Sequence, residues 1–269
     1  MQRSGGGPDG LDLDRPSAAR VYDYYLGGAH NFAVDRAMAE QAIALWPELP
    51  ATIRANRAFL RRAVRFLVDQ GVRQFLDLGS GIPTVGNVHE IAQAAAPDAR
   101  VVYVDIDPVA VTDSQLMLAG NERATAIHAD LRRPAQVLAD PQLRALLDLD
   151  QPVAVLMVAV LHFVPDSDDP AGIVAAYRDT VAPGSYLALS HATPDGQEER
   201  AETHQALYAR TATPMTMRSR DEVAALLGGW EVLPPGVVRL PAWRPEPGDD
   251  VSRAGAATFA GRAAVARRP

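Results

Sequence analysis

Phe75-Leu76-Asp77-Leu78-Gly79-Ser80-Gly81 is an apolar run that opens into a glycine turn. The run is short and bounded by turn residues, so it predicts a buried strand, with a helix over 85–96 after the turn. Glycines let the backbone approach a ligand closely, and a following helix N-terminus offers N–H groups. A dinucleotide-binding fingerprint would continue to a third glycine, but here Thr84 follows Pro83 and the pattern is GxGxxT. Asp77 stands just before the turn, an unfavourable charge beside a pyrophosphate. It suits a ligand that carries an ammonium and a sulfonium. A tight strand-to-helix turn with no ligand is the plain alternative, and the acidic partner weighs against it.

Working outward, the pattern alternates from residue 73 onward. Strands are predicted over 74–78, 101–106, 124–129, 153–160 and 185–190. Helices are predicted between and after them, over 108–118, 134–147, 170–181 and 196–209. Such alternation implies parallel strands with crossover helices on both faces. After a helix at 221–227 the rhythm changes to strands near 230–232 and 258–265, which suits a closing antiparallel hairpin. Residues 245–250 read as a surface loop. Upstream, helices are expected from Pro16 to Gly27-Gly28, from Asp35 to Trp46, and from about Ala51 to Gln70. The third puts Phe59, Leu60, Ala63, Val64, Phe66 and Leu67 on one face and five arginines elsewhere. The chain thus divides into a disordered lead-in at 1–13, a helical segment at 14–70 and an α/β core at 71–269.

Two more acidic residues stand at predicted strand ends. Val104-Asp105-Ile106-Asp107-Pro108 closes the second strand, and a carboxylate there accepts from both ribose hydroxyls of a nucleoside. Asp107 is assigned instead to cap the helix that starts at Pro108. His128-Ala129-Asp130-Leu131 closes the third strand, where Asp130 can accept from an adenine amino group and Leu131 can offer its N–H and an apolar surface. Singly, each Asp reads as well as a cap or turn residue. Together they lie along the carboxyl edge where ligands of open α/β sheets bind. His162 and His191 close the fourth and fifth predicted strands and are the candidate acceptor-facing or general-base residues. A histidine that closes a strand also reads as a satisfied structural residue.

Composition narrows the classes. The chain of 269 residues carries a net charge of −7, and its 26 basic residues, all arginine, are scattered. That argues against a nucleic-acid surface. The lack of lysine removes Schiff-base and P-loop chemistry, and the lack of cysteine removes disulfides and thiolate sites. The polar, glycine-rich start and the shortness of the longest apolar run, Val153–Leu161, predict a soluble cytoplasmic protein without signal peptide or membrane span. No HExxH or clustered ligand spacing suggests a metal, and Gly79-Ser80-Gly81 lacks the spacing of a serine-hydrolase elbow.

At these residues the chain resembles the class I S-adenosylmethionine-dependent methyltransferases, and more closely the bacterial S-adenosyl methyltransferase family formerly called DUF574. The resemblance rests on the stretches 15–28 with Asn31-Phe32, 74–84, 103–108, 158–166 and 184–191. It implies a Rossmann-like, mostly parallel seven-stranded sheet with an antiparallel last strand, S-adenosylmethionine as cofactor, Asp105 on ribose and Asp130 at adenine. The candidate cofactor-binding set is Asp77, Gly79, Ser80, Gly81, Asp105, Ile106, Asp130, Leu131 and Ala159, with Arg20, Tyr25 and Arg57 from the N-terminal helices. The N-terminal helices are read as a lid, with Tyr22, Tyr25, His30 and Asn31 lining it; the alternative is that Tyr22 and Tyr25 form the core face of the first helix. Arg20 or Arg57 would pair with the methionine carboxylate.

The expected activity is methyl transfer to a small-molecule acceptor that the sequence does not identify. A non-catalytic binder of S-adenosylmethionine or S-adenosylhomocysteine is the first rival, and an NAD-dependent oxidoreductase is the second.

Overall fold

Strand alternation sets the two faces of the sheet. In β1 (Gln74–Leu78) every residue is buried, because helices cover both sides. Leu76 and Leu78 join one apolar cluster, and Phe75 joins the other. β2 (Arg100–Asp105) and β4 (Ala154–Val158) flank β1 in parallel, with Leu76 opposite Val102 and Val155. The structure is a computed structural model that describes residues 14–84, 86–209, 211, 213–246 and 260–269. The lead-in at 1–13 and the far end of the loop at 245–250 lie outside the described residues.

β3 (Ala124–His128) extends the sheet beyond β2, and β5 (Tyr186–Ala192) extends it beyond β4, both in parallel. β8 (Gly261–Arg267) then runs antiparallel to β5, and β6 (Glu231–Val232) pairs antiparallel with β8. The order is β3-β2-β1-β4-β5-β8-β6. It is the mostly parallel, Rossmann-like sheet with antiparallel closing strands that the sequence implied. An eighth strand is added by β7 (Val238–Arg239), which also pairs with β8. Its two residues are too few to carry a periodic signal.

One face is covered by α3 (Leu49–Asp69) and α4 (Val88–Ala95), whose Phe59, Leu60, Val88 and Ala92 pack on Phe75, Val101 and Ala154. α5 (Pro108–Met117) adds Val111 on this side. The other face carries α6 (Pro134–Leu138), α7 (Pro141–Leu146), α8 (Pro170–Thr180) and α10 (Arg220–Ala225). Each fully buried Leu, Val or Phe contributes about 1.5–3 kcal/mol relative to exposure. A third core joins α1 (Ala18–Tyr25) and α2 (Ala33–Leu45) to α9 (Glu198–Tyr208), through Val21, Tyr25, Met38, Ala42, Trp46 and Tyr208.

Several element limits differ from expectation, each for a local reason. α4 starts at Val88, not 85, because Asn87 and Glu90 form a capping box that receives the Gly86 and Asn87 N–H groups. The helix predicted over 134–147 is two, since Pro141 ends the first and Asp140 caps the second by accepting from Gln142 and Leu143. Asp35 lies inside α2 rather than at its start, and its buried carboxylate accepts from the N–H groups of Phe32 and Ser17. Of the five arginines on α3, Arg62 is buried, donating to the carbonyls of Trp243 and Leu240. No helix among the described residues is long and apolar enough to cross a membrane.

Candidate functional site

The chain leaves β1 outward to β2 and β3, then returns to β4 on the other side. That reversal opens a crevice at the carboxyl ends of β1 and β4. A cavity of about 280 Å³ lies there. Its floor is Asp77, Gly79, Ser80 and Gly81, and Asp105, Ile106, Asp130 and Leu131 come from the ends of the neighbouring strands. Arg57 and Asn56 of α3 and Ser17, Ala18, Ala19 and Tyr22 of the N-terminal segment form the facing wall. The carboxyl edge thus gathers every cofactor-binding candidate except Arg20 and Tyr25.

The glycine turn is fully committed to internal bonds. The Gly79 and Ser80 N–H groups donate to the Val104 carbonyl at 2.8 and 3.2 Å, and the Gly81 N–H donates to Asp105 at 2.7 Å. Further on, Thr84 N–H donates to Asn87 and His89 N–H to the Tyr103 hydroxyl. With the capping box, these bonds leave none of these turn amides to receive a pyrophosphate, the requirement of the dinucleotide reading. Gly79 is required by geometry. Its φ is +72°, and a Cβ there would lie 2.2 Å from Val160 Cγ2.

Electrostatically the floor is acidic and desolvated. Burial pushes the Asp77 carboxyl up to about 7, against the lowering pull of Arg57 and with a further push from Asp105. Burial also raises Asp105, to about 6, although the N–H groups of Asp107 and Gly81 oppose it. Asp107 takes the capping role expected of it, accepting from Val109 N–H at 2.9 Å. It also accepts from the Ser17 hydroxyl, which pins the start of α1 to the end of β2. Asp130 is partly buried, which alone would raise it. The Arg132 guanidinium outweighs that and holds it below the usual range, with bonds of 2.7–3.0 Å.

Ala159 shapes the wall opposite the turn. β4 ends at Val158, two residues short of the predicted 153–160, because Ala159 takes φ +57°. A non-glycine residue there is strained and persists only where its surroundings hold it. Here the Ala159 N–H donates to Ser190 Oγ at 2.9 Å, and Ser190 Oγ donates to Asn56 Oδ1 at 2.6 Å. Asn56 Nδ2 in turn donates to the Tyr22 hydroxyl at 2.9 Å.

Four sequence expectations need correction. Arg20 is absent from the cavity wall. Its Nε binds Asp35 at 2.9 Å, one Nη binds the Arg15 carbonyl, and the other approaches Asp107 at 3.6 Å. A buried arginine so fully engaged clamps α1 to α2. His30 and Asn31 do not line the cavity either. Asn31 and the His30 backbone both donate to the buried Asp23 carboxylate, and the His30 ring pairs with Asp113. Gly28 is needed there because a Cβ would lie 1.9 Å from Asp23 Oδ1. The loop is a structural knot.

Tyr25 faces a second cavity, where its hydroxyl meets that of Tyr208 at 3.2 Å. His162 and His191 also line this second cavity. His162 lies in a short helical turn beyond β4, and His191 lies inside β5. His191 is a poor base. Burial depresses it to about 4, its Nδ1 bonds the Ala192 carbonyl at 2.7 Å, and its Nε2 accepts from Arg218 at 3.0 Å. Burial also holds His162 well below its ordinary range, and its Nδ1 accepts from Ala192 N–H. Asn56, Ser190, His204 and Trp46 escaped the sequence reading. Asn56 had one available signal, a polar residue on the same helical face as Phe59 and Leu60.

Among the described residues, no group of three or more His, Asp and Glu side chains is arranged to hold a metal ion. Comparison with known proteins gives a consistent family. A protein of the DUF574 family from Streptomyces avermitilis is 40% identical, covering 96% of this chain and 99% of its own, with a TM-score of 0.92. A protein from Thermobifida fusca, assigned as a methyltransferase, is 38% identical over 98% of this chain and 99% of its own, with a TM-score of 0.90. Mitomycin 7-O-methyltransferase MmcR shares the fold at 18% identity and a TM-score of 0.53, over 82% of this chain and 56% of its own. No curated protein matches the chain. The family profile described as S-adenosyl methyltransferase matches residues 4–269, and the chain belongs to that family.

Proposed function

We propose that the protein transfers a methyl group from S-adenosylmethionine to a small-molecule acceptor. The observation that carries this reading is the buried carboxylate of Asp77 beside a glycine turn whose amides are already bonded. A desolvated carboxylate held near neutrality calls for a cationic ligand, and the Gly79, Ser80 and Gly81 amides beside it are already taken. The residues fit a nucleoside bearing an amino-acid arm. Asp105 would take the ribose hydroxyls and Asp77 the ammonium. Asp130 and the Leu131 N–H would meet the adenine edge, and Ile106, 49% exposed at the cavity mouth, its face. Arg57, which lines the cavity and also donates to the Gly86 carbonyl, is the cation assigned to the carboxylate, whereas Arg20 is engaged outside the cavity.

Bound S-adenosylmethionine supplies an electrophilic methyl on a sulfonium. The acceptor's lone pair would form the new bond to carbon, the carbon–sulfur pair would stay on sulfur, and the acceptor's proton would leave to solvent. The chain's task is alignment and exclusion of water, the larger share of such a displacement. The acidic surface and scattered arginines favour a small acceptor over nucleic acid.

Calorimetry with S-adenosylmethionine, S-adenosylhomocysteine and NAD tests the reading. Binding of the first two and not of NAD is expected, and tight binding of NAD alone would overturn it. Asp105→Ala is expected to weaken the nucleoside by about 1.5–3 kcal/mol, the worth of hydrogen bonds to a charged group. An unchanged affinity would move the ribose contact elsewhere. Tight binding without turnover across a broad acceptor panel would favour the non-catalytic alternative.

A further inference from the structure

The second cavity lies between the N-terminal helices, α9 and the ends of β4 and β5, with a volume of about 70 Å³. It meets the first through Ala18, Tyr22, Asn56, Ala159 and Phe163, which line both. Among the described residues, no Asp, Glu or Arg lines it. Its polar groups fall into two kinds. Tyr25, Tyr208, Asn56, Ser190 and His191 are bonded to one another or to backbone. By contrast, both ring nitrogens of His204 and the indole nitrogen of Trp46 are buried without a partner. A buried polar atom left unpaired costs about 1–3 kcal/mol, so such atoms in one cavity mark where a ligand bonds.

We propose that the acceptor presents a single uncharged ring, bearing an O–H or N–H group, to this second cavity, where His204 and Trp46 supply its hydrogen bonds. The inference rests on the first cavity being the methyl-donor site. Size sets the ring. At about 70 Å³ the cavity is roughly half the volume of one that admits benzene, so it takes no more than one ring, the remainder of which lies in the shared space beside Ala159 and Phe163. The walls match, since Trp46 and Tyr208 both pack against the His204 ring, at centroid distances of 6.0 and 4.9 Å. Charge sets neutrality. Burial pushes His204 down to about 4, so its ring is neutral and offers one donor and one acceptor. Trp46 adds a second donor. A carboxylate or ammonium on the ring would be buried without a counter-charge.

The full-length protein, loaded with S-adenosylhomocysteine at pH 8, is titrated with phenol and aniline and, as charged equivalents, with benzoate and benzylammonium. Tryptophan fluorescence and the His204 imidazole NMR signals report binding. The neutral probes are expected to bind at least about tenfold more tightly than the charged ones. His204→Phe, which keeps an aromatic ring but removes both ring nitrogens, is expected to weaken phenol by about two- to tenfold and leave S-adenosylhomocysteine unchanged. Trp46→Phe serves the same purpose should the first variant fold poorly. Equal binding of charged probes, absence of binding by the neutral ones, or indifference to both substitutions would overturn the proposal. So would a cavity that retains only ordered water. Failure of S-adenosylhomocysteine to bind would count against the donor site alone, because phenol titration of the free protein still reads this cavity.

Discussion

Ser190 and Asn56 are joined by a 2.6 Å hydrogen bond that ties β5 to α3 across the top of the sheet. The same serine oxygen accepts the N–H of Ala159, so one hydroxyl holds both a helix of the N-terminal segment and the strained end of β4. Ser190 is 1% exposed, and no water can replace it cheaply.

Ser190→Ala is therefore expected to destabilise the protein by about 1–3 kcal/mol, because it strips the buried Asn56 Oδ1 of its donor and leaves the Ala159 N–H only the Ser190 carbonyl, at 3.2 Å. Urea unfolding measures this. Ligand binding should weaken in parallel, since Ala159 would be held at φ +57° on the cavity wall by one acceptor instead of two. A loss of stability with ligand affinity untouched would show that Ala159 keeps its geometry without Ser190.

Asp77 makes stability depend on pH. Its folded carboxyl sits at about 7, above the unfolded value of about 3.9. Between these values the folded state holds more protons than the unfolded state, so stability falls as pH rises from about 4 to about 7. Asp77→Asn removes the buried charge and is expected to be more stable than the parent at pH 8, by on the order of a few kcal/mol, with the difference shrinking toward pH 5. The same substitution should weaken S-adenosylmethionine binding at pH 8. Thermal unfolding across pH, paired with calorimetry, separates the two effects. A variant that is less stable at pH 8 would mean that Asp77 has a compensating partner.

Gly79→Ala is expected to be disruptive out of proportion to one methyl group. The residue is held at φ +72°, and the new Cβ would overlap Val160, whose side chain packs against the sheet core. Backbone strain of this kind alone costs about 1–3 kcal/mol, and displacement of Val160 adds to it. Gly81→Ala shares the positive φ of +68° but meets open space, so it should be the milder of the pair. Equal midpoints for the two in chemical unfolding would rule out the contact with Val160 as the cause.

Much of the sheet was legible because its signals are local. β1 was read to the residue, and the other core strands to within one or two, since buried parallel strands make short apolar runs between turn residues. The differences arose where a local competitor acted. Asn87 and Glu90 delayed α4, Pro141 divided a helix, and Ala159 ended β4 early. At the site, an Asp at each of three strand ends pointed to the cavity floor, because the carboxyl edge of a parallel sheet has one location. Arg20 was misread for a physical reason. An arginine near a lid and one clamped by Asp35 look the same in sequence, and only the packing of α1 on α2 distinguishes them.

The glycine turn and the three aspartates were legible locally, since strand ends and turn chemistry depend on neighbours a few residues apart. The use of everything distant in the chain followed from how the elements pack. That packing committed the turn amides to Val104 and Asp105, turned His191 toward Arg218, and brought Trp46 and His204 to one buried cavity. Those outcomes depend on desolvation and on partners from other elements, which no stretch of sequence carries within itself.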